Sequence, residues 1–136
     1  MEHYYKVEHS KACLDRAFEF LNEAISTAGS NQFLATSNRS YYAVYTAIRA
    51  LVILEHTEKS KHRGTIGDFQ RFYIKTGIFK KEYSGYVEKL FRTREKCDYD
   101  PIYIIIKEDA LLQLEHAKEI VADISEYLRP KYTMHK

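Results

Sequence analysis

Residues 41–52 read Tyr41-Tyr42-Ala43-Val44-Tyr45-Thr46-Ala47-Ile48-Arg49-Ala50-Leu51-Val52. Tyr41, Val44, Tyr45, Ile48, Leu51 and Val52 recur at the three- and four-residue spacing of one helical face. Ala43, Ala47 and Ala50 keep the flank of that helix small, so a neighbour can approach closely. This pattern predicts the central helix of an all-α bundle. On its N-terminal side, Leu14, Ala17, Phe18, Leu21, Ala24, Ile25 and Ala28 form another apolar stripe. Gly29 closes it, and Ser30 or Asn31 is placed to cap the central helix.

Past His56 the chain is polar and basic to Gly64, a loop by composition, and a shorter helix carrying Phe69, Phe72 and Tyr73 ends at Gly77. Tyr83, Val87, Leu90 and Phe91 begin a fourth stripe, whose inward face continues with Arg94 and Asp98 until Tyr99-Asp100-Pro101 breaks the helix. Residues 102–106 are too few for a helix and read as an extended connection. The last stripe, Ala110, Leu111, Leu114, Ala117, Val121, Ile124 and Leu128, ends before Pro130. The expectation is one domain over residues 1–129, an up-and-down helical bundle of four long helices plus one short helix, with 130–136 as a frayed C-terminal tail.

Composition agrees with that architecture. A chain of 136 residues, 45% hydrophobic, suffices for a single core. Five glycines and two prolines are too few for the many turns of a sandwich or barrel. No stretch reaches the ~20 apolar residues of a membrane span, and Met1-Glu2-His3-Tyr4-Tyr5-Lys6 lacks the apolar core of a secretory signal. Cys13 and Cys97 are far apart with no Cys-x-x-Cys, which fits a reducing compartment. The protein is expected to be soluble and cytoplasmic, with no membrane partner.

Charge is unevenly spread. Lys59, Lys61, Arg63, Arg71, Lys75, Lys80 and Lys81 face one acid, Asp68, a local +6 within a chain of net +2. Such a segment attracts phosphates or forms a solvated loop. Metal and cofactor sites are not expected. The Glu-His dipeptides at 2–3, 8–9, 55–56 and 115–116 lack the Glu-x-x-His spacing of a di-iron bundle. Gly64-Thr65-Ile66-Gly67 fits neither phosphate-binding glycine fingerprint.

Two places could carry chemistry. Arg94, Asp98 and Tyr99 sit at the end of the fourth helix: either an i, i+4 ion pair, or a guanidinium exposed by the proline break to bind a phosphodiester. His62 lies between Lys61 and Arg63, whose charges lower its pKa and favour a neutral imidazole able to take a proton. Otherwise it caps the next helix or faces water. Tyr41, Tyr42 and Tyr45 read as packing.

At these residues the chain resembles the HEPN superfamily, in its small stand-alone prokaryotic branch. The resemblance rests on Ser37-Asn38-Arg39-Ser40-Tyr41-Tyr42-Ala43-Val44-Tyr45-Thr46-Ala47, on Lys61-His62-Arg63-Gly64 through Phe72 with Lys75-Thr76-Gly77, and on Leu90-Phe91-Arg92-Thr93-Arg94 with Asp98-Tyr99. It implies a helical bundle and, for many members, a toxin-like, metal-independent endoribonuclease or RNA-binding effector. The partner it implies is a minimal nucleotidyltransferase antitoxin. The family's arginine matches Arg94, but Tyr99 stands where its motif has histidine, and a phenol ionising near ~10 is a poor base at neutral pH. On this resemblance Arg94 holds a phosphate, Asp98 accompanies it, and His62 or Tyr99 handles the proton. Lys61, Arg63 and Lys75 steer RNA, and Tyr99 is the nearest match to the tyrosine such an antitoxin adenylates. The alternative is a non-catalytic helical adaptor that docks to the nucleotidyltransferase. The apolar run Ile102, Ile104, Ile105 and Ile106, with the two-fold dimer the resemblance implies, predicts a homodimer.

Overall fold

The computed structural model describes residues 2–58 and 61–134. Five helices follow one another: α1 (Glu2–Gly29), α2 (Phe33–Glu55), α3 (His62–Phe69), α4 (Glu82–Tyr99) and α5 (Lys107–Met134). A single π-helical turn, Gln70–Ile74, extends α3. The result is the all-α bundle of four long helices and one short one. No helix among the described residues is long and apolar enough to cross a membrane.

The central position of α2 follows from its sequence. Fifteen of its residues are buried, including Tyr41, Ala43, Val44, Ala47, Ile48, Ala50, Leu51 and Val52. It packs against α1, α3, α4 and α5, with α1 the most extensive neighbour. The three alanines are fully enclosed, which is what lets α1 lie so close. Full burial of each Ile or Leu here contributes ~1.5–3 kcal/mol relative to exposure.

The ends of the helices depart from the sequence reading in three places. Neither Ser30 nor Asn31 caps α2. Gln32 occupies the cap position without a side-chain bond, and Asn31 takes a left-handed backbone, φ 58°, a conformation asparagine tolerates better than most residues. The chain between α2 and α3 is shorter than composition indicated, because α3 already opens at His62 behind an extended Lys61. The third departure is at the C-terminus, where α5 runs through Pro130 to Met134 rather than fraying.

Proline inside a helix removes one backbone hydrogen bond and crowds the preceding turn, so something must hold the last turn. Tyr132 does: it is buried, and its hydroxyl lies 2.7 Å from Ser10 Oγ of α1. Ser10 in turn donates to the Ala50 carbonyl of α2 at 2.7 Å. Residues 135 and 136 of the expected tail lie outside the described residues. At the end of the π turn, Gly77 takes φ 81°. This reversal returns Phe79 to the core, where its N–H bonds the Tyr73 carbonyl at 2.9 Å. Of the isoleucines in the α4–α5 connection, Ile105 turns inward, while Ile102 and Ile104 are each 83% exposed.

A chain ending at Arg129 loses the Tyr132 ring and should be less stable by ~3 kcal/mol in urea unfolding. Unchanged stability would mean that the last turn frays in solution.

Candidate functional site

The site is built around three tyrosines of α2. Tyr41 is buried, and a buried phenol needs a hydrogen-bond partner. It finds His62, the first residue of α3, with 2.7 Å between Tyr41 Oη and His62 Nδ1. Tyr45 stacks on the same imidazole at 3.9 Å between ring centroids and 17° between planes. Tyr42, half-buried one residue off the core stripe, meets the imidazole edge to face at 6.2 Å.

Arg94 reaches the same rings from α4. Its guanidinium carbon lies 5.5 Å from the Tyr41 centroid and 5.7 Å from that of Tyr42, within cation–π range. The register of α4 is fixed beside it: Gln113 of α5 donates to Thr93 Oγ1 at 3.0 Å and accepts from the Ser37 hydroxyl of α2. All three side chains are buried, so this chain of bonds resists sliding of α4 past its neighbours. The structure thus brings His62 and Arg94 onto the same two rings.

Arg94 Nε is 3.2 Å from Asp98 Oδ2, with the two side chains 25% and 45% exposed. The carboxylate is close enough for Coulombic attraction, yet the buried Nε–H is not aimed at it and has no hydrogen-bond acceptor among the described residues. Asp98 is exposed, so the inward face expected for it ends at Arg94. Among the described residues no three His, Cys, Asp or Glu side chains gather as metal ligands.

Electrostatics differentiate the pair on Tyr41. Burial raises the phenol far above its usual range, outweighing the opposing pull of Arg94, so Tyr41 stays neutral. Burial also lowers His62 below its ordinary 6.5, and the charges of Arg94 and Arg49 add to that shift. Lys61 and Arg63, the neighbours that sequence reasoning held responsible, are not among the causes. Lys61, just before α3, and Arg63 on it are exposed, while the imidazole turns toward α2.

The other candidates lie elsewhere. Tyr99 is 84% exposed, and five residues beyond Arg94 it points about 140° away around the helix. Lys61 is exposed beside the site. Arg63 lies over the Phe91 ring at 4.2 Å and pairs with Glu88 at 3.1 Å. Lys75 follows the π turn, ~20 Å along the helical path from His62, and does not join the cluster. The basic segment is not a continuous cationic surface, because acids from other segments reach it: Glu88 takes Arg63, Glu119 takes Lys80, and its own Asp68 takes Arg71. Lys59 lies outside the described residues.

Sequence reasoning missed the tyrosines as site residues. Tyr41 and Tyr45 belong to the core stripe and look like packing, which they also are; Tyr42, aromatic but off the stripe, was the available signal. It also missed a cleft of about 440 Å³ between α1 and α2 that adjoins His62.

Comparison with known proteins bears on the family of the chain. The HEPN domain family matches residues 10–127. A "UPF0332 protein" from Thermotoga maritima is 32% identical over 84 residues, 62% of this chain, and the match spans 64% of that protein, just under two thirds of its length. Two Methanocaldococcus jannaschii proteins are also similar. "Putative toxin MJ0142" is 27% identical over 131 residues, covering 96% of this chain and 88% of that protein. "Putative toxin MJ0605" is 26% identical over 92 residues, covering 68% and 69%.

The His62 imidazole, followed by NMR, should titrate below 6.5, and Arg94→Ala should raise its midpoint by removing one cause of the shift. The sign for stability follows. Above about pH 6.5 His62 is neutral in both folded and unfolded chains; as pH falls toward its folded pKa the unfolded chain binds a proton that the fold resists, so stability is lost. A midpoint at or above 6.5 would contradict the geometry.

Proposed function

Because this chain belongs to the HEPN domain family, we propose that it is a toxin-like, metal-independent endoribonuclease whose reaction centre is formed by Arg94 and His62. The observation that carries this reading is the meeting of the two on Tyr41, which gives a cation with an unsatisfied Nε–H and a neutral imidazole side by side. The toxin names of the archaeal relatives support the same class of function.

The chemistry follows from the side chains. In the tautomer whose Nδ1–H donates to Tyr41 Oη, His62 Nε2 is free to accept the proton of an RNA 2′-hydroxyl. The 2′-oxygen attacks the adjacent phosphorus, and the bond to the next nucleotide's 5′-oxygen breaks. This leaves a 2′,3′-cyclic phosphate on one product and a 5′-hydroxyl on the other, the latter taking its proton from solvent. Arg94 stabilises the negative charge that grows on the phosphoryl oxygens. Asp98 draws the guanidinium by Coulombic attraction at 3.2 Å, and the exposed Lys61 beside His62 draws in the backbone. His62 takes the proton-accepting role that Tyr99, pointing away, does not fill.

In this reading the exposed Ile102, Ile104 and Ile106 cover one another in a homodimer. A minimal nucleotidyltransferase is the antitoxin partner, and Tyr99 is accessible enough for it to adenylate, with AMP passing from ATP to Tyr99 Oη and pyrophosphate leaving. Sedimentation should give a dimer at micromolar concentration and a larger complex after co-expression with that partner; a monomer in both runs would remove this part of the proposal.

One observation favours the adaptor alternative, the 3.2 Å approach of Arg94 to Asp98. Arg94→Ala separates the two readings. Since the pair is partly solvated, its loss should cost only ~1 kcal/mol. Cleavage of total RNA in metal-free buffer should disappear in this variant, fall by ~10²-fold or more in His62→Ala, and weaken steeply with salt. Wild-type protein that neither binds nor cleaves RNA, with a strongly destabilised Arg94→Ala, would make the chain an adaptor.

A further inference from the structure

Resting on that reading, we propose that the cleft between α1 and α2 is a nucleotide subsite of the ribonuclease, taking the base and phosphate of one unpaired ribonucleotide next to the scissile bond. The cleft, about 440 Å³, is lined by Arg16 and Phe20 of α1, Tyr42, Tyr45 and Arg49 of α2, and His62. Its volume lies in the ~300–1,000 Å³ range of small-molecule sites.

Its chemistry is that of a nucleotide receptor. Phe20 and Tyr42 are both half-buried and pack against each other, with centroids 5.8 Å apart and planes at 37°, so together they form one aromatic wall on which a base can stack. Arg16 stands over Phe20 with its guanidinium carbon 6.0 Å from the ring and its Nε 3.9 Å from the exposed Glu19. Arg49 is anchored through Nε to Glu58 at 2.5 Å. None of the side chains lining the cleft is acidic, and the Glu19 and Glu58 carboxylates stand against its two arginines from outside that lining. Two cations and aromatic faces suit an anionic ligand with a flat ring.

The connection to the reaction centre is Tyr42. One ring forms part of the cleft wall, lies under the Arg94 guanidinium and touches the edge of His62. A nucleotide stacked on that wall therefore places its neighbouring phosphate toward Arg94. A base can enter only when splayed out, so the cleft selects single strands over duplex.

The test uses Phe20→Leu and Arg16→Gln, two changes outside the Arg94–Tyr41–His62 cluster. With a single-stranded oligoribonucleotide in metal-free buffer, each should raise KM about tenfold while kcat stays within about twofold, since stacking and charge act on binding. The wild type should bind the same sequence as a duplex far more weakly. Arg94-dependent cleavage with unchanged KM in both variants overturns the subsite and leaves the ribonuclease standing. NMR shifts at Phe20 and Thr46 on adding the oligonucleotide, without cleavage, support the subsite and overturn the ribonuclease. No binding of any RNA overturns both.

Discussion

A buried phenol must hydrogen-bond, and in this molecule that requirement organises everything near the site. Tyr41 is 2% exposed in the middle of α2. Its ring is needed for the core, and its hydroxyl finds a side-chain partner on α3. The structure meets the demand with His62, and this draws the start of α3 inward. The same contact makes the imidazole a half-buried group stacked on Tyr45, and the depressed pKa follows from that burial and from the charges of Arg94 and Arg49. One packing decision in α2 thus becomes an electrostatic property on another helix.

Much of the fold was legible because it is written in periodicity. The Tyr41–Val52 face, the alanine flank, Gly77 and Asp100-Pro101 each act within a turn or two of themselves, and local rules decide them. Pro130 misled because its cost is local while the compensation is distant: Ser10 is more than a hundred residues away in the chain. The loop reading of His62 failed for the same reason, since composition describes Lys61 to Gly64 but not the phenol waiting on α2.

Legibility of the site was uneven. Arg94 stood out because a charge on an apolar stripe contradicts the stripe, and the resemblance to a known family placed His62 beside it in importance. The tyrosines were hidden by consistency, as an aromatic in phase with the core gives no sign of a second role. Charge counting along the sequence overstated the basic surface, because Glu88 and Glu119 reach it only through folding. Linear charge is a sum over neighbours in sequence, whereas an approaching phosphate responds to neighbours in space.

The Ser10–Tyr132 contact also bears on how the chain reaches this structure. Most contacts here join helices adjacent in sequence, the arrangement that lets helical bundles fold quickly. Ser10 and Tyr132 are 122 residues apart, so the loop they close spans nearly the whole chain and its entropic cost is correspondingly high. The α1–α2 hairpin can form on its own side of that step, with Ala43, Ala47 and Ala50 already against α1. The last turn of α5, which lacks one backbone bond at Pro130 and has Lys131 over the Tyr127 ring as a local contact, is then a latch that closes on a hairpin already assembled, and its opening costs less than unfolding the rest.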